Sequence, residues 1–259
     1  CFATIYVMTK YQKLKRFNLA MAWIHGIQGA LVLLLSNGAS REITTNFLSL
    51  NETTERLEPA TRTLFSVDIA PLVAAFFFIS AFAHTYIATD GYLKYRRNIQ
   101  RGINKFRWYE YSLSASLMIV LIAMLSGIFN FGTLLALFGL TAVMNLMGLM
   151  MEVHNQKTRG VNWLSYWIGV LAGIVPWIVI GLSLWSTETG GGDIPTFVYW
   201  IYVSLFIMFN SFAINMLLQY KKVGPWKDYL FGERVYIWLS LIAKSLLAWQ
   251  IFAGALQPV

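Results

Sequence analysis

Long apolar runs alternate with short polar connectors along this chain. Seven runs stand out, at about 15–36, 64–90, 103–129, 132–152, 161–185, 196–220 and 231–255. A helix needs roughly 20 mostly apolar residues to cross a bilayer. Lipid gives an open backbone no partner, so runs this apolar are predicted to be helices. The connectors carry turn residues, such as "SNG" after the first run, "NFG" after the third and "TETGGGD" after the fifth. One connector, 37–63, is long. Its "REITTNFLSL" alternates loosely, which predicts a short hairpin, and its "NET" at 51–53 is a glycosylation sequon. The expected fold class is an all-α membrane protein, a single seven-helix domain over 1–259.

Composition agrees with this pattern. Hydrophobic residues make up 57% and charged residues 12%, where a soluble domain carries about 25% charged. The single cysteine, Cys1, excludes a disulfide framework and a cysteine metal site. Residues 1–7, "CFATIYV", are read as extraneous, or Met8 as the natural start. The first run lacks a small-residue cleavage signal after it and is read as a retained helix.

Charge sets a direction. Sixteen Lys and Arg fall in the N-terminal tail and the second, fourth and sixth connections, counting Arg107 among them. The opposite connections hold Arg41, Arg56 and Arg62, all in the long loop. The positive-inside rule then predicts a cytoplasmic N-terminus and an extracellular C-terminus. The net charge of +8 follows from that basic face. It favours anionic lipid and is no sign of nucleic-acid binding.

One of the twenty cations remains, Lys244, in "YIWLSLIAKSLLAW". A charge at mid-bilayer costs about 3 kcal/mol on insertion scales. Lys244 is about 15 Å from either end of its run, too deep to snorkel. An ion pair needs an acid, and Glu110 is the acid placed well inside a run. Its depth differs from that of Lys244 by about 7 Å, within reach of a lysine side chain. His25 and His84 fall in the same layer. Ser80 and His84 share a helix face, as do Ser240 and Lys244. A lone membrane histidine is usually a packed, hydrogen-bonded one. Five polar groups from four helices at one depth point instead to a proton or ligand site. An apolar pocket favours the neutral amine, which can attack an aldehyde, and Glu110 would then balance the protonated Schiff base.

These residues resemble the microbial rhodopsins, with a lysine in the seventh helix and a carboxylate in the third. "RWYE" at 107–110 keeps the Arg-x-x-carboxylate spacing of the ion-pumping members. The inverted orientation fits the heliorhodopsins. "RWYEYSLSASLMIVLIAMLSGI" and "SLIAKSLLAW" resemble that family's third and seventh helices, and "IHGIQG" and "AFAHTY" its first two. The resemblance implies all-trans retinal on Lys244, Glu110 as counterion and Ser240 beside the linkage. It places His25 and His84 in a polar cavity on the cytoplasmic side, with Ser80, on the His84 face, as a further candidate site residue. It suggests Tyr111, Asn145, Met147, Gly148, Trp167, Pro176, Trp177, Phe206 and Phe209 as further pocket residues. Aromatics and methionines at helical spacing are more often plain packing.

Proton pumps of the wider family carry a second carboxylate eleven residues after the counterion and a threonine four after it. Here those positions are Leu121 and Ser114. The sixth run, "FIMFNSFAINMLLQY", also lacks their Trp-x-x-Tyr-Pro. The resemblance implies a non-enzymatic, non-pumping light sensor in the cell membrane, a homodimer read by a cytoplasmic signalling partner. The alternative is a light-gated proton channel or transporter using the same polar cluster. A third reading, a seven-helix receptor for a soluble ligand, is separated by colour; the third run ends without Asp-Arg-Tyr.

Overall fold

A computed structural model describes residues 9–257. The expectation about residues 1–7 and Met8 lies outside the described residues. Among the described residues, seven helices are long and apolar enough to cross a membrane. They are α1 (Lys10–Leu35), α2 (Ile69–Ala88), α4 (Lys105–Leu125), α5 (Phe131–His154), α6 (Leu164–Thr189), α7 (Thr196–Tyr220) and α8 (Tyr229–Ile251). A π turn, Phe252–Leu256, extends α8.

Local chemistry starts several of them. Thr9 and Gln12 form a reciprocal capping box on α1, with Thr9 N donating to Gln12 Oε1 at 2.8 Å. Asn104, Asn130 and Asp228 cap α4, α5 and α8 by accepting from backbone N–H groups. Large apolar side chains point outward, among them Leu34, Phe82, Leu171 and Trp200. Such an outer surface suits lipid rather than water.

Two findings amend the expected all-α fold. The long connector is an extended antiparallel hairpin, β1 (Ser40–Asn51) with β2 (Arg56–Asp68), longer than the short one expected. Its alternation is loose because most of both strands is exposed; on β1 Ile43 is the residue that reaches the core. Thr44 N donates to Phe129 O at 2.9 Å, and Asn37 Nδ2 donates to Gln257 O at 2.9 Å, so the loop is tied to the bundle's end. The second connection contains a further helix, α3 (Tyr92–Gln100). Tyr95 and Ile99, one turn apart, bury its inner face.

The bundle has two unlike ends. Toward the hairpin, Val73, Phe76 and Phe77 of α2 pack with Met118, Ile119, Leu121 and Ile122 of α4 and Leu247 and Ile251 of α8. Toward the N-terminal, basic end, the interior is polar.

Candidate functional site

Lys244 lies on α8 at 3% exposure, in the middle of the bundle. Its Nζ is 3.2 Å from Glu110 Oε1 on α4 and donates to Ser240 Oγ at 2.8 Å. Ser80 Oγ of α2 donates to the same Glu110 oxygen at 2.6 Å. The His25 and His84 rings stack 5.6 Å apart beside this group. His84 Nδ1 meets Asn18 Oδ1 at 2.8 Å. An amide oxygen only accepts, so Nδ1 donates to it, and in the neutral ring Nε2 carries the lone pair. Both ring nitrogens of His25 are buried with no hydrogen-bond partner among the described residues. Buried polar atoms left this way are costly, which is common where a site holds water or moves protons. Asn18 was missed in the sequence because a lone asparagine near a helix start reads as an end residue.

A second buried charge cluster lies toward the basic end. Arg107, treated above as a connector cation, is 5% exposed, so Lys244 is not the one buried cation. Its Nη2 pairs with Glu152 of α5 and its Nη1 with Glu233 of α8. Both acids sit near helix ends in the sequence yet are 1% exposed. Asn104 N, Trp108 Nε1 and Tyr229 Oη also donate to Glu152, at 2.8, 2.7 and 3.1 Å. Asn104 Nδ2 and Tyr95 Oη donate to Glu233 at 2.6 and 3.1 Å. Burial, with the Glu233 carboxylate adding to it, pushes the Tyr95 phenol well above its ordinary range and keeps it a donor. A small cavity lined by Asn18, His84, Asn104, Arg107, Glu110 and Glu233 lies between the two clusters.

On its other side Lys244 faces an apolar cavity. Tyr111, Ala115, Met118, Asn145, Phe209, Phe212 and Ser240 line it with the lysine. A second cavity shares Met144, Asn145, Phe209 and Phe212 as walls and runs on past Trp108, Gly148, Gly169, Gly173 and Trp177 to Asn210. Together they form a long slot with the amine at its head. Gly148 and Gly173 keep it tight: a Cβ on Gly148 would collide with the Trp108 ring, and one on Gly173 with the Met144 sulfur.

The structure therefore brings Lys244, Glu110, Ser240, Ser80, His25 and His84 together, with Tyr111, Asn145, Gly148, Trp177 and Phe209 on or near the slot. It does not bring all the expected pocket residues there. Trp167 faces outward at 63% exposure. Phe206 packs on Trp177, ring centroids 5.4 Å apart, and Met147 lies against Gly169. Pro176 is buried inside α6 but lines neither cavity. Sequence reasoning missed Met144, Trp108, Tyr166 and Phe212. The four-residue step Gly169–Gly173–Trp177 was the signal that could have marked the α6 wall.

The family model for heliorhodopsins matches residues 14–256, nearly the whole chain. The chain belongs to the heliorhodopsin family. No curated protein matches it by sequence. As a heliorhodopsin it is a multi-pass membrane protein and a retinal-binding, light-sensing rhodopsin, a photoreceptor rather than a conventional enzyme. The site fits that chromophore: retinal is a long apolar aldehyde, and the slot is long, apolar and headed by a buried amine. Beside that amine, Glu110 supplies a carboxylate at 3.2 Å.

Proposed function

We propose that this heliorhodopsin is a light sensor that does not pump ions, with all-trans retinal on Lys244 and Glu110 as its counterion. The observation that carries the reading is the Lys244–Glu110 contact at the head of the slot, with His84, Arg107 and Glu233 lining a cavity beside Glu110 on the basic side. Retinal supplies visible absorption and light-driven isomerisation. The protein's residues do the rest. Tyr111, Asn145, Phe209 and Phe212 hold an extended ligand and keep water from it. Glu110 Oε1 stabilises positive charge at the Lys244 nitrogen, and Ser240 Oγ orients that nitrogen. A proton leaving it has Glu110 Oε1 as first acceptor and the free Nε2 of His84 as the next. Toward the hairpin, Leu121, Ile122, Phe76 and Phe77 offer no acceptor, which supports internal transfer over transport.

The Lys and Arg split supports a cytoplasmic N-terminus in the cell membrane. In this reading the chain acts as a homodimer, as its family suggests, and a signalling partner reads the basic face. Illuminated cells in weakly buffered suspension test the proposal. The expected record is a deprotonated, blue-absorbing intermediate without any sustained pH change that an uncoupler abolishes. A steady uncoupler-sensitive pH shift would make the protein a pump, and a photocurrent that reverses with membrane voltage would make it a channel.

A further inference from the structure

A cavity of about 440 Å³ lies apart from the lysine site, at the basic end. Three connections enclose it: the turn after α3, the α5–α6 connection and the α7–α8 connection. Arg101, Arg159, Lys222 and Lys227 line it together with Trp226 and Tyr229, and among the described residues no Asp or Glu lines it. None of the four cations forms an ion pair among the described residues. Four like charges around one hollow repel each other unless something anionic sits between them.

The backbone adds a second observation. α7 ends in a Schellman motif, Val223 N to Leu218 O at 3.1 Å and Lys222 N to Gln219 O at 3.2 Å. The motif's left-handed position normally takes glycine, yet Lys222 holds it at φ 53°. The same lysine lines the cavity, so the locally unfavourable position puts a cation at its wall.

We propose that this cavity binds an anionic phosphate group, either that of a soluble phosphate ester or the headgroup of an anionic lipid. Two guanidinium groups offer forked donors that match phosphate oxygens, and two lysines add point charge. The aromatic faces of Trp226 and Tyr229 leave room for an organic portion. Tyr229 also donates to Glu152, so one side chain touches both the cavity and the buried Arg107 cluster. The site does not depend on light or on retinal.

The test uses the full chain in phosphatidylcholine nanodiscs, titrated calorimetrically with inorganic pyrophosphate. Saturable binding is expected in the wild type. Arg159→Gln and Lys222→Gly should each weaken it about tenfold, while Lys13→Gln, an exposed cation outside the cavity, should leave it unchanged. Lys222→Gly should also raise the melting temperature, because it relieves the left-handed lysine, so a loss of binding there is not a loss of fold. If pyrophosphate does not bind, but phosphatidylglycerol survives delipidation in the wild type and is lost in those two variants, the phosphate is a lipid's. If neither ligand is held, or Lys13→Gln weakens binding as much as the cavity variants, the proposal is overturned.

Discussion

Two buried cations lie in this bundle, and their surroundings differ sharply. Arg107 meets two carboxylates, and those carboxylates accept further hydrogen bonds from Asn104, Trp108, Tyr95 and Tyr229. Lys244 meets one carboxylate and one serine hydroxyl. Arginine keeps its charge at any accessible pH, whereas a buried lysine can lose its proton and become a nucleophile. The arginine cluster joins α4, α5 and α8 through charge it cannot give up. The lysine site is sparsely compensated and opens onto an apolar slot. Dense satisfaction marks a fastening, and sparse satisfaction around a group able to change charge marks a reactive centre.

The comparison breaks most visibly at Lys244. Lys244→Ala and Lys244→Arg are both expected to yield colourless protein after purification with added retinal, read by visible absorption. A persistent visible band in Lys244→Ala would sink the assignment. Stability should behave in the opposite way. Arg107→Gln leaves two buried carboxylates without their cation, which should cost about 3–5 kcal/mol. Lys244→Ala leaves one carboxylate that can take up a proton, so it should cost less. Thermal unfolding of the two variants in the same detergent orders them, and a larger loss in Lys244→Ala would mean that the lysine, not the arginine, is the fastening.

A gentler change sharpens the lysine side. Glu110→Gln keeps the shape and the Ser80 contact but removes the negative charge, so the visible band should move to longer wavelength. A variant whose spectrum matches the wild type from neutral to acid pH would hand the counterion role to another acid.

The two clusters were unequally legible in the sequence, and the reason is physical. Lys244 and Glu110 are deep in long apolar runs, where any charge is conspicuous. Arg107, Glu152 and Glu233 sit within a turn or two of helix ends, where charges normally reach water. Packing at that end buries them, with Tyr95 of α3 and Tyr229 at the start of α8 donating to Glu233 and Glu152. The seven crossing helices were legible because lipid demands length and apolarity. That same demand hides the slot: lipid tails are as apolar as a protein core, so periodicity cannot tell Trp167, facing lipid, from Trp177, facing the cavity. α3 was missed because its few apolar positions are scattered among Lys94, Arg96 and Arg97, although Tyr95 and Ile99 carried its helical step. The hairpin's length was lost in its solvent-exposed alternation.

The hairpin turn provides the opposite extreme, a carboxylate with full access to water. Glu58 accepts from Asn51 Nδ2 at 2.9 Å and from Thr54 Oγ1 at 3.0 Å, while Asn51 Oδ1 accepts from Thr53 N at 2.9 Å. The hydrogen bonds from Asn51 and then Thr54 hold the Glu58 carboxyl below its ordinary range. A depressed value in the folded turn means the stabilisation is fully present above the ordinary carboxylate pKa. It is lost as the pH falls through the lowered one. Water screens the contribution, so this is the smallest of the expected effects. Hydrogen-exchange protection of the Thr53 and Thr54 amides, corrected for the intrinsic rate, should be higher at pH 7 than at pH 3. Glu58→Gln should remove that difference without touching the absorption band. Equal protection at the two pH values in the wild type would show that the turn is held by its Asx geometry alone, with the carboxylate adding nothing.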